Sequence, residues 1–366
     1  MPKDSVQKKT VESKIFVTFT LKFLKIKHGM KVLYIGNKLS KHGLNATTIE
    51  TLGPQLQDLG FEITYSSSVK NFFFRILSML VAVSFAPKNA RILIDTYSTN
   101  AFWYAYFCSQ LARLLGKKYY PILHGGNLPN RLQKNPKLCQ QLFGNAQLNI
   151  APSGYLKHYF EAAGYENVVL IPNSIALSQY SFKERSVFAP KLFWVRAFAQ
   201  LYHPEMAVEV LVELKKTFPD ASLTMVGPDK DGSLQLTKEL AEKQGVAVTF
   251  TGQLSKEAWW NLAKDHDIFL NTTHFDNTPV SVLEAMALGL AVVSTNVGGI
   301  PFLVTDKKEA LLVADGAVME MKNAIINLVE NPILAKKITT EARNLVHTMD
   351  WEVVKNKWIS VLNTAT

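Results

Sequence analysis

Cysteine is scarce in this chain. Among 366 residues, only Cys108 and Cys139 bear a thiol. Two are too few for a disulfide framework or a cysteine metal cluster, and they suit a reducing cytosol. A long apolar run is missing as well. A membrane-spanning helix needs about 18 or more nearly uninterrupted apolar residues. The nearest stretch, FFFRILSMLVAVSFA at 72–86, is shorter and broken by Arg75. The opening residues hold no apolar segment followed by a small-residue cleavage site, so no secretion signal is expected. There is no Arg-rich recognition helix, zinc spacing or aromatic RNA-binding signature, which sets nucleic acid aside as a partner. Internal repeats and low-complexity segments are absent too.

What remains is an ordinary globular composition, 48% hydrophobic and 19% charged. The length exceeds one typical core, so two domains are expected. The charge is uneven. Residues 1–180 hold 21 Lys and Arg against 8 Asp and Glu, whereas residues 181–366 hold 19 against 22. A basic first half suits an anionic lipid surface or an anionic substrate.

Strands and helices alternate twice. Short β-branched or aromatic runs occur at 31–37, 61–67, 91–97, 118–125, 148–153 and 168–174, and again at 191–198, 221–227, 247–252, 267–273, 290–295 and 310–315. Two such series predict two doubly wound α/β domains. The polar stretch 178–190 reads as the linker, and 350–362 as a terminal helix. Residues 1–29 fall outside the pattern and read as an N-terminal extension, because MKVLYIGN at Met30 opens the first strand.

The densest stretch is HFDNTPVSVLEAMALGLAVVSTNVGGIP at 274–301. Thr278 is suited to cap a helix with Pro279 at its first position, and Gly289 is suited to end it. Asp276 then lies in the loop after a strand, on the side where open parallel sheets bind ligands. The helix start at Thr278–Val280 is an anion site. Val280, Leu283, Glu284 and Ala287 share one helical face. A carboxylate on a buried apolar face is costly when unpaired, and a sugar diol would satisfy it. The competing reading is that Glu284 only bonds a backbone loop or a neighbouring lysine.

This stretch resembles the glycosyl transferases group 1, glycosyltransferase family 4. Its E-x7-E pattern, Ala-Met-rich helix, glycine, strand and GGIP turn are matched here by Asp276, Glu284, AMALG, AVVST and NVGGIP. The resemblance covers roughly 31–362. It implies the GT-B fold: two doubly wound Rossmann-like domains facing across a cleft. Residues 30–177 would be the acceptor-side domain and 191–349 the nucleotide-sugar domain. Residues 350–366 would be a C-terminal helix packing back on the first. By the same resemblance Glu284 binds the nucleotide ribose, and Asp276 contacts the donor sugar. The amides around Asn277, Thr278, Pro279 and Val280 face the diphosphate.

Other residues follow the pattern less closely. The family's G-R-x4-K survives only as Arg196, with Val195 in place of the glycine and Leu201 in place of the lysine. His203 is the nearest replacement cation. His124, ending a strand before Gly125–Gly126, resembles the family histidine that faces the donor sugar. Gly43 resembles part of its glycine-rich first loop. Asp229 and Asp231 mimic a metal-binding D-x-D, but turn residues flank them, so a solvated turn is expected.

The resemblance therefore implies a retaining, metal-independent glycosyltransferase with no cofactor, its nucleotide sugar being a substrate. Its acceptor would be a glycan or glycolipid of bacterial surface polysaccharide or lipopolysaccharide synthesis. It would be cytoplasmic, and peripheral on the inner face of the cell membrane. Lys70, Arg75 and Phe72–Phe74 suit an anionic membrane surface. Two other assignments compete: a nucleotide-sugar epimerase of the same architecture, and a non-catalytic sugar-binding protein.

Overall fold

A computed structural model describes residues 29–39, 47–66 and 68–363. The expected extension at 1–29 lies, apart from Gly29, outside them. Two compact units emerge. The first unit's sheet is built from β1 (Lys31–Ile35), β2 (Glu62–Ser66), β3 (Arg91–Tyr97), β4 (Tyr119–His124), β5 (Asn149–Ala151) and β6 (Val168–Leu170). All pair in parallel, in the order β2-β1-β3-β4-β5-β6. The second unit's sheet contains β7 (Lys191–Val195), β8 (Ser222–Val226), β9 (Thr249–Gly252), β10 (Ile268–Asn271), β11 (Ala291–Thr295) and β12 (Leu311–Val313). It is also parallel, in the order β12-β11-β10-β7-β8-β9.

A parallel sheet has helices on both faces, so its central strands are apolar throughout. β4, β10 and β11 are buried along their whole length. In the second unit, alternate residues of one strand enter two different cores. Leu192 and Trp194 pack with Ile268 and Leu270 on one face, while Phe193 and Phe269 pack with Leu283 and Met286 on the other.

Two boundaries differ from expectation. Helix α1 (Gly154–Ala162) was expected with the first domain, yet residues 152–164 cluster with the second unit. The reason is local packing. Tyr155 stacks edge-on against Phe275 and Phe302, and Gly154 abuts the Phe302 backbone. The supposed linker 178–190 is no free strap either. Arg185 within it is buried in the second unit and bonded to carbonyl oxygens there. The C-terminal helix α2 (Trp351–Asn363) contributes the Leu362 carbonyl that accepts from Arg91 Nε in the first unit.

Candidate active site

In the second sheet the strand order reverses between β7 and β10. Crevices outside the carboxyl ends of strands at such a switch point are where open α/β sheets bind ligands. Arg196 follows β7 directly, and Asp276 lies in the loop after β10. The structure brings them together: the Arg196 guanidinium forms an ion pair with the Asp276 carboxylate. It also lies 4.6 Å from the centre of the Tyr202 ring.

Two glycines hold these residues in place. A Cβ on Gly227 would stand 1.7 Å from the Arg196 carbonyl oxygen, and one on Gly299 would stand 1.8 Å from that of Asn277. Only glycine permits so close a backbone approach. The Gly299 N–H donates to the Asp276 carbonyl at 2.7 Å, and Ser153 Oγ donates to Asn277 Oδ1 at 2.7 Å. The GGIP turn is thus a brace under the Asp276 loop.

Helix α3 (Val280–Leu288) follows that loop. Its N-cap is Pro279 rather than Thr278, because Pro279 has extended backbone angles (φ −71°, ψ 112°). Thr278 therefore stands outside the helix, and the first free amides are those of Val280 and Ser281. The helix is not one-sided. Residues 281–288 are all buried, and Val280 alone is exposed.

Glu284 is 4% exposed. The expectation that a ligand alone would satisfy it needs correction. Tyr180 Oη and Lys256 Nζ each donate to Oε1 at 2.9 Å. The competing lysine reading is thus partly realised, although Oε2 accepts no bond from a described residue. Burial, then the neighbouring Glu284 charge, pushes the Tyr180 hydroxyl up, so it stays a donor. Sequence reasoning missed Tyr180 and Lys256. Their separations of 104 and 28 residues from Glu284 leave no local signal.

His203 follows the short turn Gln200–Tyr202 after β7. It stacks on His274 with ring centres 4.4 Å apart. Burial, then the nearby His274, lowers its pKa from an ordinary value of about 6.5. That direction disfavours the cationic form in which it would stand in for the missing lysine. Arg196 Nε, His203 Nδ1 and Ser281 Oγ are buried without a hydrogen-bond partner among the described residues. Such atoms call for an explanation, and a bound ligand is one.

Asp229 and Asp231 behave as the turn reading expects. Asp229 Oδ1 accepts from Gly232 N, and Asp231 accepts from Gln200 N and from Ser233 Oγ.

His124 belongs to the first unit, at the end of β4. Its Nε2 lies 2.8 Å from Oδ1 of Asp95, a carboxylate with no exposure that also accepts from Tyr34. The imidazole stacks on Tyr97 at 4.8 Å. Gly43 lies outside the described residues. Arg75 does not face outward: its side chain is buried and donates to the carbonyls of Val69 and Lys70.

Residues 182–345 match the family described as Glycosyl transferases group 1. Over this segment, which is under half of the chain, the sequence is similar to that family. Glycogen synthase of Mycobacterium tuberculosis is 23% identical over 194 residues, 52% of this chain and 47% of that protein. The chain thus matches about half the length of that relative. Sucrose-phosphate synthase from Thermosynechococcus elongatus superposes with a TM-score of 0.72 at 15% identity, over 91% of this chain and 98% of the other. Anabaena HepE in complex with UDP and glucose gives 0.69 at 17% identity, over 92% and 100%. The fold is therefore α/β with two Rossmann-like units, that of the GT-B glycosyltransferases. Within the matched segment fall Arg196, His203, Asp276 and Glu284, together with the stretch from Asn277 to Val280.

Proposed function

We propose that the protein is a retaining glycosyltransferase that moves a sugar from a nucleoside-diphosphate donor to a glycan or lipid-linked acceptor. The observation that supports this best is the meeting of Arg196 and Asp276 at the switch point of the second sheet, with Glu284 on the helix that follows. In this reading Glu284 Oε2 accepts the ribose hydroxyls, and Tyr180 and Lys256 hold Oε1. Asp276, one methylene shorter than Glu, contacts the donor sugar. Arg196 and the free amides at Val280–Ser281 meet the leaving diphosphate, as fixed donors at a site of developing charge do. His124 is assigned to the donor sugar, oriented by Asp95. HepE, whose fold is shared, is known in complex with UDP and glucose, which favours a UDP-sugar donor.

In a retaining transfer the acceptor attacks on the departing diphosphate's own face. No protein base is then required. The experiment is nucleoside-diphosphate release with donor alone and with donor plus acceptor glycan. Release that depends on acceptor supports transfer. Product from donor alone would favour the epimerase, and no turnover of any donor would favour a binding protein.

Transfer needs no metal or cofactor in this scheme, because the diphosphate charge is assigned to Arg196 and the amides at the helix start, and Asp229 Oδ1 and Asp231 Oδ1 accept from turn amides. Turnover in EDTA should stay within about twofold of the untreated rate. A loss restored by manganese or magnesium would return Asp229 and Asp231 to consideration.

The acceptor is assigned to bacterial surface polysaccharide or lipopolysaccharide synthesis, with the protein cytoplasmic and held at the inner face of the cell membrane. Among the described residues no helix is long and apolar enough to cross a membrane. Support for a peripheral contact comes from the helix Phe72–Phe85. Phe73 and Phe85 are each 84% exposed, and Leu77 and Val81 continue the same stripe at four-residue spacing. Lys70 and Lys88 are exposed near its ends. Arg75 contributes packing, not surface charge. Cosedimentation with phosphatidylglycerol vesicles should fall as salt rises and weaken in Lys70→Glu/Phe73→Ser. Equal binding to neutral vesicles, or none to either, would remove the membrane.

A further inference from the structure

His203, His274 and Asp315 come from three chain segments that follow β7, β10 and β12. One ligand atom from each lies within 4.8 Å of the others. We propose that these three side chains form a binding site for one divalent transition-metal ion of the zinc, cobalt or nickel class. Neither the donor site nor the transfer step uses it.

Backbone bonds fix the two histidines against each other. The His274 N–H donates to the Leu201 carbonyl at 2.9 Å, Thr273 Oγ1 donates to the same carbonyl at 3.1 Å, and Thr272 Oγ1 donates to that of Tyr202 at 2.8 Å. His203 caps the helix Pro204–Lys215 with φ of 46°. A non-glycine residue holds that left-handed conformation only where its surroundings impose it, and such strain gathers at ligand sites. Its Nδ1 is buried without a partner.

The donor set decides the class of ion. Imidazole nitrogens suit zinc, cobalt and nickel, whereas magnesium and calcium prefer oxygen. The rings are now stacked, so both cannot point at one ion as they stand. His274 is about two-fifths exposed, and its Nδ1 is held by Asp315 at 2.8 Å. A turn of the His274 ring about its Cβ–Cγ bond would leave the stack and present its nitrogen. Asp315 then serves as the third ligand or as the carboxylate that orients the ring. Water completes the shell on the open side, beside Gln200 and Glu205.

The test uses the full chain without a polyhistidine tag, stripped with EDTA. Cobalt(II) is titrated and followed by its visible absorption. The expected result is one saturating site per chain, emptied by zinc. His274→Gln and Asp315→Asn should each weaken cobalt binding about tenfold or more with an unchanged melting temperature. No saturable cobalt spectrum, or binding by both variants as tight as by the unsubstituted chain, would overturn the site. Because the stripped protein is also expected to turn over donor, loss of the site and loss of the transferase assignment give separate results.

Discussion

Glu284→Gln is expected to lower kcat/KM for the nucleotide sugar by about a hundredfold or more, while the protein still melts cooperatively. A hydrogen bond to a charged group contributes about 1.5–3 kcal/mol. A carboxylate that accepts two ribose hydroxyls therefore stands to lose a factor in the hundreds. The amide keeps the shape of the side chain, and its oxygen can still accept from Tyr180. What it loses is the negative charge opposite Lys256, which is well exposed and held in solvent. Exposed partners of this kind contribute little to stability. Activity and melting should therefore separate. Steady-state kinetics beside a thermal melt decides the matter, and near-normal turnover would leave Glu284 a structural residue paired to Lys256.

The fold was legible for a simple physical reason. Strands buried on both faces of a parallel sheet read as short apolar runs between turn residues, so β4, β10 and β11 stood out on that ground, while the part-buried edge strands β2, β6 and β9 stood out by their β-branched and aromatic residues. The site was legible where its chemistry is local in sequence. Arg196 ends one strand run, and Asp276 and Glu284 share one loop and helix. Their meeting follows from a strand order that no periodicity reveals.

What remained hidden depends on long-range contact. Tyr180 looked like part of a polar linker, and Lys256 like an ordinary surface charge. His274 and Asp315 gained meaning only once β10 and β12 were known to flank β11. The Gly298–Gly299 pair read as a turn, although its deeper constraint is the Asn277 backbone lying against it. The capping position moved from Thr278 to Pro279 because a proline with extended ψ can itself precede a helix.

The largest stability effect is expected at Arg185, in the stretch that composition marks as a linker. Its charged neighbours in SFKERSVFAP are exposed, which hides one buried cation among them. Nε donates to Asp267 Oδ1 at 2.9 Å and to the His266 carbonyl at 3.1 Å. Nη1 donates to the carbonyls of Lys183 at 3.0 Å and Gly289 at 2.8 Å, and Nη2 to that of His266 at 2.6 Å. The Gly289 and His266 carbonyls end a helix and precede a strand, so one guanidinium ties the linker to both. Removing it strands Asp267, a largely buried carboxylate, together with several carbonyl oxygens. Breaking a buried pair in this way costs about 3–5 kcal/mol. Arg185→Ala should therefore destabilise the second unit by about that amount, and its melting temperature should fall by roughly 10 °C. Arg185→Lys should recover little, since an ammonium cannot present the planar fork that reaches these acceptors. Urea unfolding followed by tryptophan fluorescence suits the test, because four of the six tryptophans, Trp194, Trp259, Trp260 and Trp351, lie in the second unit. A loss below about 1 kcal/mol, the range of an exposed ion pair, would mean that the segment is a free linker after all.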